Sequence, residues 1–175
     1  MYFRTNLASA GRYSDEVANY SDQGAKSLDE EFMRAALDLA AEAEAAGEVP
    51  VGAVLVLGGK IVGRGFNAPV SRHDPTAHAE LLALREAAAA MGNYRLTGST
   101  LYVTLEPCPM CAGALVNARV ARLVFGARDL RFGGVRSKFR LADSELLNHR
   151  VEVAEGVCAA ECLEKLREFF ARKRE

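Results

Sequence analysis

Residues 100–111 read TLYVTLEPCPMC, and residues 78–80 upstream of them read HAE. The apolar run at the start of the first stretch predicts a β-strand, and the proline-rich motif after it predicts a helix that opens near Pro107. Cys108 and Cys111 are three residues apart and would share one face of that helix. We therefore expect a strand followed by a helix, with a candidate functional site at the junction between them.

The residue types in these two motifs are those of a catalytic zinc centre. Two thiolates and one imidazole, from His78, suit zinc better than magnesium or calcium, which prefer oxygen ligands. Structural zinc usually has four protein ligands, whereas catalytic zinc keeps three and leaves a position for water, whose pKa it lowers. Glu80 is predicted to be the proton shuttle for that water. The alternative interpretation is that these residues bind no metal. His78 would then be a buried histidine, Cys108 and Cys111 would be core thiols, and Glu80 would be a carboxylate stabilised by the N-terminus of its helix.

Two further cysteines, Cys158 and Cys162, lie four residues apart in a predicted helix. Cysteines in that setting usually pack as small apolar residues rather than bind metal. His73 is predicted to be a surface or substrate-contact residue rather than a fourth ligand. We therefore expect one Zn²⁺ per chain and no second zinc site.

Length and composition set the broad class of protein. The chain has 175 residues, half of them hydrophobic, which predicts one domain with a substantial core. It contains no apolar run of transmembrane length and no continuous hydrophobic segment for secretion at its N-terminus. We expect a cytoplasmic protein with no membrane partner, in which disulfides are not expected.

The net charge of −1 excludes a globally basic nucleic-acid binder, but the charge is unevenly distributed. Residues 119–140 contain seven Lys or Arg against Asp129 alone, a net charge of +6. Such a stretch could follow a phosphate backbone, and within it Arg131, Arg136 and Lys138 are predicted substrate-binding residues. A solvated face or an intersubunit patch is the alternative.

The N-terminal region divides into two parts. Residues 1–26 are polar and aperiodic and are predicted to be a flexible extension. Ser27 to Glu30 form a capping box, and apolar residues keep helical spacing from there to about Ala46. The folded domain is therefore expected to span residues 27–175.

The rest of the chain alternates strands and helices. Gly58-Gly59 predicts a hairpin, and further strands are expected at residues 100–105, 122–125 and 151–154. Asp74, followed by Pro75, is predicted to cap the helix that carries the HAE motif. This alternation predicts an α/β fold with a sheet covered on both faces and the site at strand ends.

From about Glu31 to its C-terminus the chain resembles the bacterial tRNA-specific adenosine deaminases, a branch of the cytidine-deaminase-like zinc deaminases. The matching stretches are EVPVGAVLV, HDPTAHAE, NYRL, LYVTLEPCPMCAGAL, VFGARD and NHRVEV. The resemblance implies a three-layer α/β/α fold around a five-stranded mixed sheet. It also implies that His78, Cys108 and Cys111 are the zinc ligands and that Glu80 is the proton shuttle.

The reaction that the resemblance implies is hydrolytic deamination of the wobble adenosine in a tRNA anticodon loop, giving inosine, by zinc-bound hydroxide. An unpaired loop base can be splayed into a pocket at lower cost than a base stacked in a duplex. The implied partners are a tRNA anticodon stem-loop and a second copy of the chain, and no redox cofactor is needed. Residues 112–125, AGALVNARVARLVF, are a candidate dimer contact, or else internal core.

Two more residues are predicted to bind substrate, and the first of them depends on the resemblance. Asn67 is implied to contact the base, although the residues alone favour a turn before Ala68-Pro69. Asp129 is predicted to contact RNA, or alternatively to pair with Arg128 or Arg131.

The resemblance has one departure, at residues 130–139, where Phe132 and Phe139 are bulkier than it predicts. The RNA groove and its preference for neighbouring nucleotides are expected to differ there. Two other functions stay open. A free nucleobase or nucleoside deaminase of the guanine or cytosine type would share the zinc motif. A non-catalytic, zinc-stabilised RNA-binding module would have a fourth protein ligand at the metal.

Overall fold

The computed structural model describes the backbone of residues 10–174 and the side chains of residues 27–174. Its helices are α1 (Ala10–Ala45), α2 (Pro69–Arg72), α3 (Ala79–Met91), α4 (Pro109–Asn117) and α5 (Ala159–Arg172). Its strands are β1 (Gly52–Leu57), β2 (Lys60–Phe66), β3 (Thr100–Leu105), β4 (Arg122–Ala127) and β5 (Glu152–Glu155). No helix in this described part of the chain combines the length and apolarity that crossing a bilayer requires.

The strands form one mixed sheet in the order β2-β1-β3-β4-β5. β1 runs antiparallel to both β2 and β3, whereas β3, β4 and β5 are parallel. The predicted hairpin is present, and Gly58 and Gly59 turn it with φ angles of 57° and 74°, which glycine adopts at little cost. The predicted α/β fold with a five-stranded mixed sheet is confirmed.

Alternate side chains of each strand point to opposite faces of the sheet and belong to two separate apolar layers. Leu101 and Val103 belong to the cluster that contains the buried residues of α3 and α4. Tyr102, between them, belongs to the cluster on the other face, with residues of α1 and α5. Each fully buried large apolar side chain contributes about 1.5–3 kcal/mol relative to an exposed one, so both layers stabilise the sheet between them.

A polar cluster fixes α1 on its face of the sheet. The buried Asp29 carboxylate accepts a hydrogen bond from the Tyr102 hydroxyl at 2.8 Å and two from the Arg122 guanidinium at 2.7 and 2.8 Å. Burial alone would raise the pKa of Asp29, but the bonds from Arg122 and Tyr102 outweigh it and hold that pKa below its ordinary value. These contacts join α1 to two of the parallel strands, β3 through Tyr102 and β4 through Arg122.

Two glycines of β2 let α3 lie unusually close to the sheet. A Cβ on Gly65 would lie 2.2 Å from the carbonyl oxygen of Ala79, and one on Gly63 would lie 2.2 Å from that of Ala83. No side chain fits at either position. The close approach seats the first turn of α3, with its HAE motif, directly against the strand.

Three helix starts differ from the sequence predictions. α1 begins at Ala10 rather than at Ser27, and residues 10–26 contain no proline that would end a helix before the periodic region. α3 begins at Ala79 rather than after Asp74, whose carboxylate instead accepts hydrogen bonds from the Thr76 N–H and hydroxyl in a local turn. α4 begins at Pro109, two residues later than predicted.

Candidate active site

The metal-binding motifs meet at the N-termini of two helices. His78 is the N-cap residue of α3, and Cys108 is the N-cap residue of α4, with Cys111 in the first turn of that helix. β3 positions the cysteine motif, because the strand ends at Leu105, three residues before Cys108. Both helices point their positive N-terminal ends at the cluster, which favours thiolates and other anions there.

The distances between the three side chains fit a zinc ion. The Nδ1 atom of His78 lies 3.7 Å from the Sγ of Cys108 and 3.6 Å from the Sγ of Cys111. Tetrahedral zinc with Zn–S bonds of about 2.3 Å and Zn–N bonds of about 2.0–2.1 Å requires a nitrogen–sulfur separation of about 3.6 Å. The cluster has three protein ligands within residues 27–174, which leaves a coordination position for a non-protein ligand.

The pKa values of the two cysteines in the cluster shift in opposite directions. Hydrogen bonds from Cys111 and His78 lower the pKa of Cys108 to about 4, despite partial burial. The same contact with Cys108, together with burial, raises the pKa of Cys111. A divalent cation lets both sulfurs be thiolates, so the donor set fits a metal better than it fits two free thiols.

Glu80 lies beside this cluster and is almost completely buried, with 4 % exposure. Burial raises its pKa from 4.5 to about 7, with a smaller contribution from the negative charge of Cys108. A carboxyl group with a pKa near neutrality can both accept and release a proton. The structure thus places Glu80 in the same cavity as His78 and Cys108.

A cavity of about 500 Å³ opens over the cluster. This volume lies within the range of small-molecule binding sites. Its walls are mostly apolar, and its polar groups are few: Asn67, His78, Glu80, Glu106, Cys108 and Asp129. Among them are two of the predicted substrate-binding residues, Asn67 and Asp129.

Asn67 follows β2 and lies against the first turn of α3. Its Oδ1 accepts a hydrogen bond from the backbone N–H of Ala79 at 3.0 Å. This bond identifies the oxygen of the amide, because a backbone N–H cannot donate to an NH₂ group, and it leaves the amino group to donate. Asn67 therefore makes a structural contact through its oxygen and, among the residues whose side chains are described, keeps its amino group as a donor at the cavity wall.

Asp129 organises a tight turn at the edge of the cavity. Its Oδ1 accepts hydrogen bonds from the backbone N–H groups of Arg131 and Phe132 at 2.9 and 3.1 Å. The predicted alternative of a side-chain ion pair with Arg128 is not what the structure shows, because Arg128 pairs with Glu155 at 2.7 Å.

The three predicted phosphate-binding residues lie in different surroundings. Arg131 and Lys138 are exposed. Arg136 is partly buried and donates from one nitrogen to the Val135 carbonyl at 3.1 Å and to Asp143 at 2.9 Å. Arg122, Arg128 and Arg140 of the same basic stretch also pair with carboxylates, so much of its formal charge is internally compensated.

Sequence reasoning missed Glu106, which is 2 % exposed. Its carboxylate accepts hydrogen bonds from the backbone N–H groups of Asp129, Val135, Arg136 and Ser137 at 2.6–3.1 Å, and one from the Ser137 hydroxyl. Burial alone would raise the pKa of Glu106, but these donors lower it. The available signal was an acidic residue between a strand and the cysteine motif.

Comparison with known proteins identifies the family. A model of the cytidine and deoxycytidylate deaminase zinc-binding region matches residues 26–127. A tRNA-specific adenosine deaminase of Haemophilus influenzae is 55% identical over 149 residues, which cover 85% of this chain and 86% of that protein. The chain belongs to the tRNA-specific adenosine deaminase family.

Solved structures agree with this membership. A chain from structural work on A-to-I editing by tRNA:A34 deaminases matches with a TM-score of 0.75 and 44% identity, covering 78% of this chain and 99% of that one. A guanine deaminase from Nitrosomonas europaea matches with a TM-score of 0.71 and 27% identity, covering 81% and 84%. The predicted family and the predicted zinc ion, one per chain, are confirmed.

Proposed function

We propose that this protein deaminates the wobble adenosine of a tRNA anticodon loop to inosine. The observation that carries the proposal is the three-ligand cluster of His78, Cys108 and Cys111 beside buried Glu80, in a chain of this family. Zinc bound there supplies a water molecule that is activated as a nucleophile at neutral pH. A tRNA substrate also agrees with the expected cytoplasmic location.

The proposed role of Glu80 is to move two protons, one after the other. It accepts one proton of the attacking water and passes it to ring nitrogen 1 of adenine. It then takes the proton of the hydroxyl group added at carbon 6 and passes it to the exocyclic nitrogen, which leaves as ammonia. The reaction consumes one water, breaks the bond between carbon 6 and the exocyclic nitrogen, and forms the carbonyl of inosine. The raised pKa of Glu80 supports this role, because the group exchanges protons readily near neutrality.

The cavity supports recognition of an extruded purine. Its apolar wall suits the flat faces of a base, and Asn67 offers an amide donor to the base edge. Asp129 lies at the cavity edge, where the ribose of a flipped nucleotide would pass. Arg131 and Lys138, both exposed, are the proposed contacts to the phosphates, whereas Arg136 supports the loop through Asp143.

We also propose a homodimer and a domain that starts near residue 27. An apolar groove between α3 and α4 is lined by Leu81, Leu84, Ala88, Tyr94, Ala114 and Ala118, and Tyr94 is exposed there. A second copy of the chain would cover it. The candidate dimer segment, residues 112–125, is divided between two surroundings. Its residues Ala114 and Ala118 line this groove, whereas Leu123 and Phe125 belong to the core.

The decisive experiment is inosine formation on a short anticodon hairpin that carries a wobble adenosine, measured by mass spectrometry of nucleosides. We expect the wild type to form inosine, and we expect Glu80→Gln to keep its zinc and fold while kcat falls by about 10²–10⁴-fold. Glu86→Gln is the matched control, because Glu86 lies on the same helix but is exposed.

The two other candidate functions give different results. A guanine deaminase, which the Nitrosomonas likeness makes the second candidate, would release ammonia from guanine and leave the hairpin unchanged. A non-catalytic RNA-binding module would bind the hairpin equally well as wild type and as Glu80→Gln, and neither protein would form inosine. Either result would contradict the proposal.

A further inference from the structure

Phe132 lies at the mouth of the cavity yet is 65 % exposed. It lines the same cavity as Glu80 and Cys108, while most of its surface is exposed. An uncovered phenyl ring lacks the stabilisation that burial of its apolar surface would give. Its position is therefore not explained by packing within the chain.

The backbone around Phe132 is held by polar contacts instead. The Phe132 N–H donates to Asp129 Oδ1 at 3.1 Å, and the next N–H, of Gly133, donates to the Asp129 carbonyl at 2.9 Å. Gly133 itself lies so close to Glu106 that a Cβ there would be 2.4 Å from the carboxyl carbon. The turn thus presents the ring from a fixed support, with little conformational freedom left to lose on binding.

A cation accompanies the ring. The guanidinium carbon of Arg131 lies 5.9 Å from the centre of the Phe132 ring. An aromatic face beside an exposed positive charge is the combination with which proteins bind single-stranded nucleic acid, because the ring stacks on a base and the charge contacts a phosphate. Lys138 is exposed and its backbone N–H donates to the carbonyl of Gly133 at 3.1 Å, so it adds a second charge near this surface.

We propose that Phe132 is a stacking platform for the base of the nucleotide next to the reactive adenosine. This inference rests on the proposed function, since it requires a polynucleotide substrate. When the adenosine turns into the cavity towards Glu80, its neighbour loses a stacking partner, and the Phe132 ring lies where a replacement is needed. Phe132 would then help to select the nucleotide beside the adenosine, since purines stack more strongly than pyrimidines.

The test compares KM for the anticodon hairpin in Phe132 variants. We expect Phe132→Ala to raise KM by about 5- to 100-fold, Phe132→Leu to resemble it because stacking is lost although bulk is kept, and Phe132→Trp to restore KM. Phe139→Ala is the matched control, since Phe139 is 54 % exposed in the same loop but does not line the cavity. Zinc content and circular dichroism should be unchanged in all four variants.

Hairpins with an abasic residue on the 5′ or 3′ side of the adenosine identify the stacked base. At one of these positions the wild type should lose affinity, and Phe132→Ala should lose nothing further. An unchanged KM in Phe132→Ala, or an equal rise in Phe139→Ala, would overturn the platform while the function stands. No inosine from the wild type on the intact hairpin would overturn the proposed function itself, and the platform with it.

Discussion

Glu106 and Ser137 are joined by two hydrogen bonds although 31 residues separate them in the chain. The Ser137 N–H donates to the Glu106 carboxylate at 2.8 Å, and the Ser137 hydroxyl donates to its other oxygen. Glu106 lies two residues before Cys108, and Ser137 lies between the basic residues Arg136 and Lys138. Hydrogen bonds therefore connect the segment that carries the metal cluster directly to the proposed RNA-binding loop.

We predict that Glu106→Gln loosens this loop without removing the metal. Gln replaces one acceptor oxygen by an NH₂ group that faces backbone donors, so the free energy of unfolding should fall by about 1–3 kcal/mol. KM for the hairpin should rise more than kcat falls, and zinc content should stay at one per chain. Glu145→Gln, at an exposed carboxylate, is the control. Equal behaviour of the two variants in urea unfolding and in kinetics would refute the supporting role.

The two pairs of cysteines should respond differently to substitution. Cys108→Ser should lose stoichiometric zinc, measured by atomic emission, because the hydroxyl is a much weaker zinc ligand than a thiolate. Cys158→Ser should retain one zinc per chain. Chelation should lower the melting temperature of wild type, since zinc at 1,000 times its Kd adds about 4 kcal/mol of stability. A zinc-loaded Cys108→Ser protein would show that the ligand set is wrong.

The Asp29 cluster predicts a specific dependence of stability on pH. Because the pKa of Asp29 is lowered in the folded state, its contribution is present above the unfolded pKa of about 3.8 and is lost as pH falls through the folded value. At pH 7, Asp29→Asn should reduce the free energy of unfolding by roughly 1.5–3 kcal/mol, as expected for hydrogen bonds to a charged group. The difference from wild type should shrink below pH 4.

Urea unfolding at pH 3, 4 and 7 measures this dependence. Asp38→Asn is the matched control, because Asp38 lies on the same helix with an exposed side chain. It should change stability by less than about 0.5 kcal/mol at every pH. A loss for Asp29→Asn that does not vary with pH would show that the carboxylate charge is not what holds α1 to the sheet.

Two basic residues near one another in the chain should have different roles. We expect Lys138 to bind RNA and Arg136 to support the fold. Lys138→Ala should weaken hairpin binding and reduce the slope of log K against log salt by roughly one unit, without changing stability. Arg136→Ala should instead lower the free energy of unfolding, because it leaves the partly buried Asp143 carboxylate with one partner fewer. Fluorescence anisotropy over a salt series, beside urea unfolding, separates the two effects. An unaltered slope for Lys138→Ala would place the phosphate contacts elsewhere.

The sequence determined the elements whose signals are local. The Gly58-Gly59 turn, the strand at residues 100–105 and the His/Cys/Cys donor set all follow from spacing and residue type, because a hairpin, a strand and a tetrahedral site each impose a short pattern. Helix starts were less predictable. Asp74 has the chemistry of an N-cap, but it serves a local turn, and a capping box at Ser27 does not interrupt a helix that begins at Ala10.

Only the tertiary structure decided which charges are free and which are used. Seven basic residues between 119 and 140 look alike in the sequence, yet the fold brings Arg122 to Asp29 and Arg136 to Asp143, while Lys138 stays exposed. Glu106 acquires its role in the same way, from donors more than twenty residues away. Such pairings depend on how distant segments meet in space, and a local pattern of residues contains no record of that.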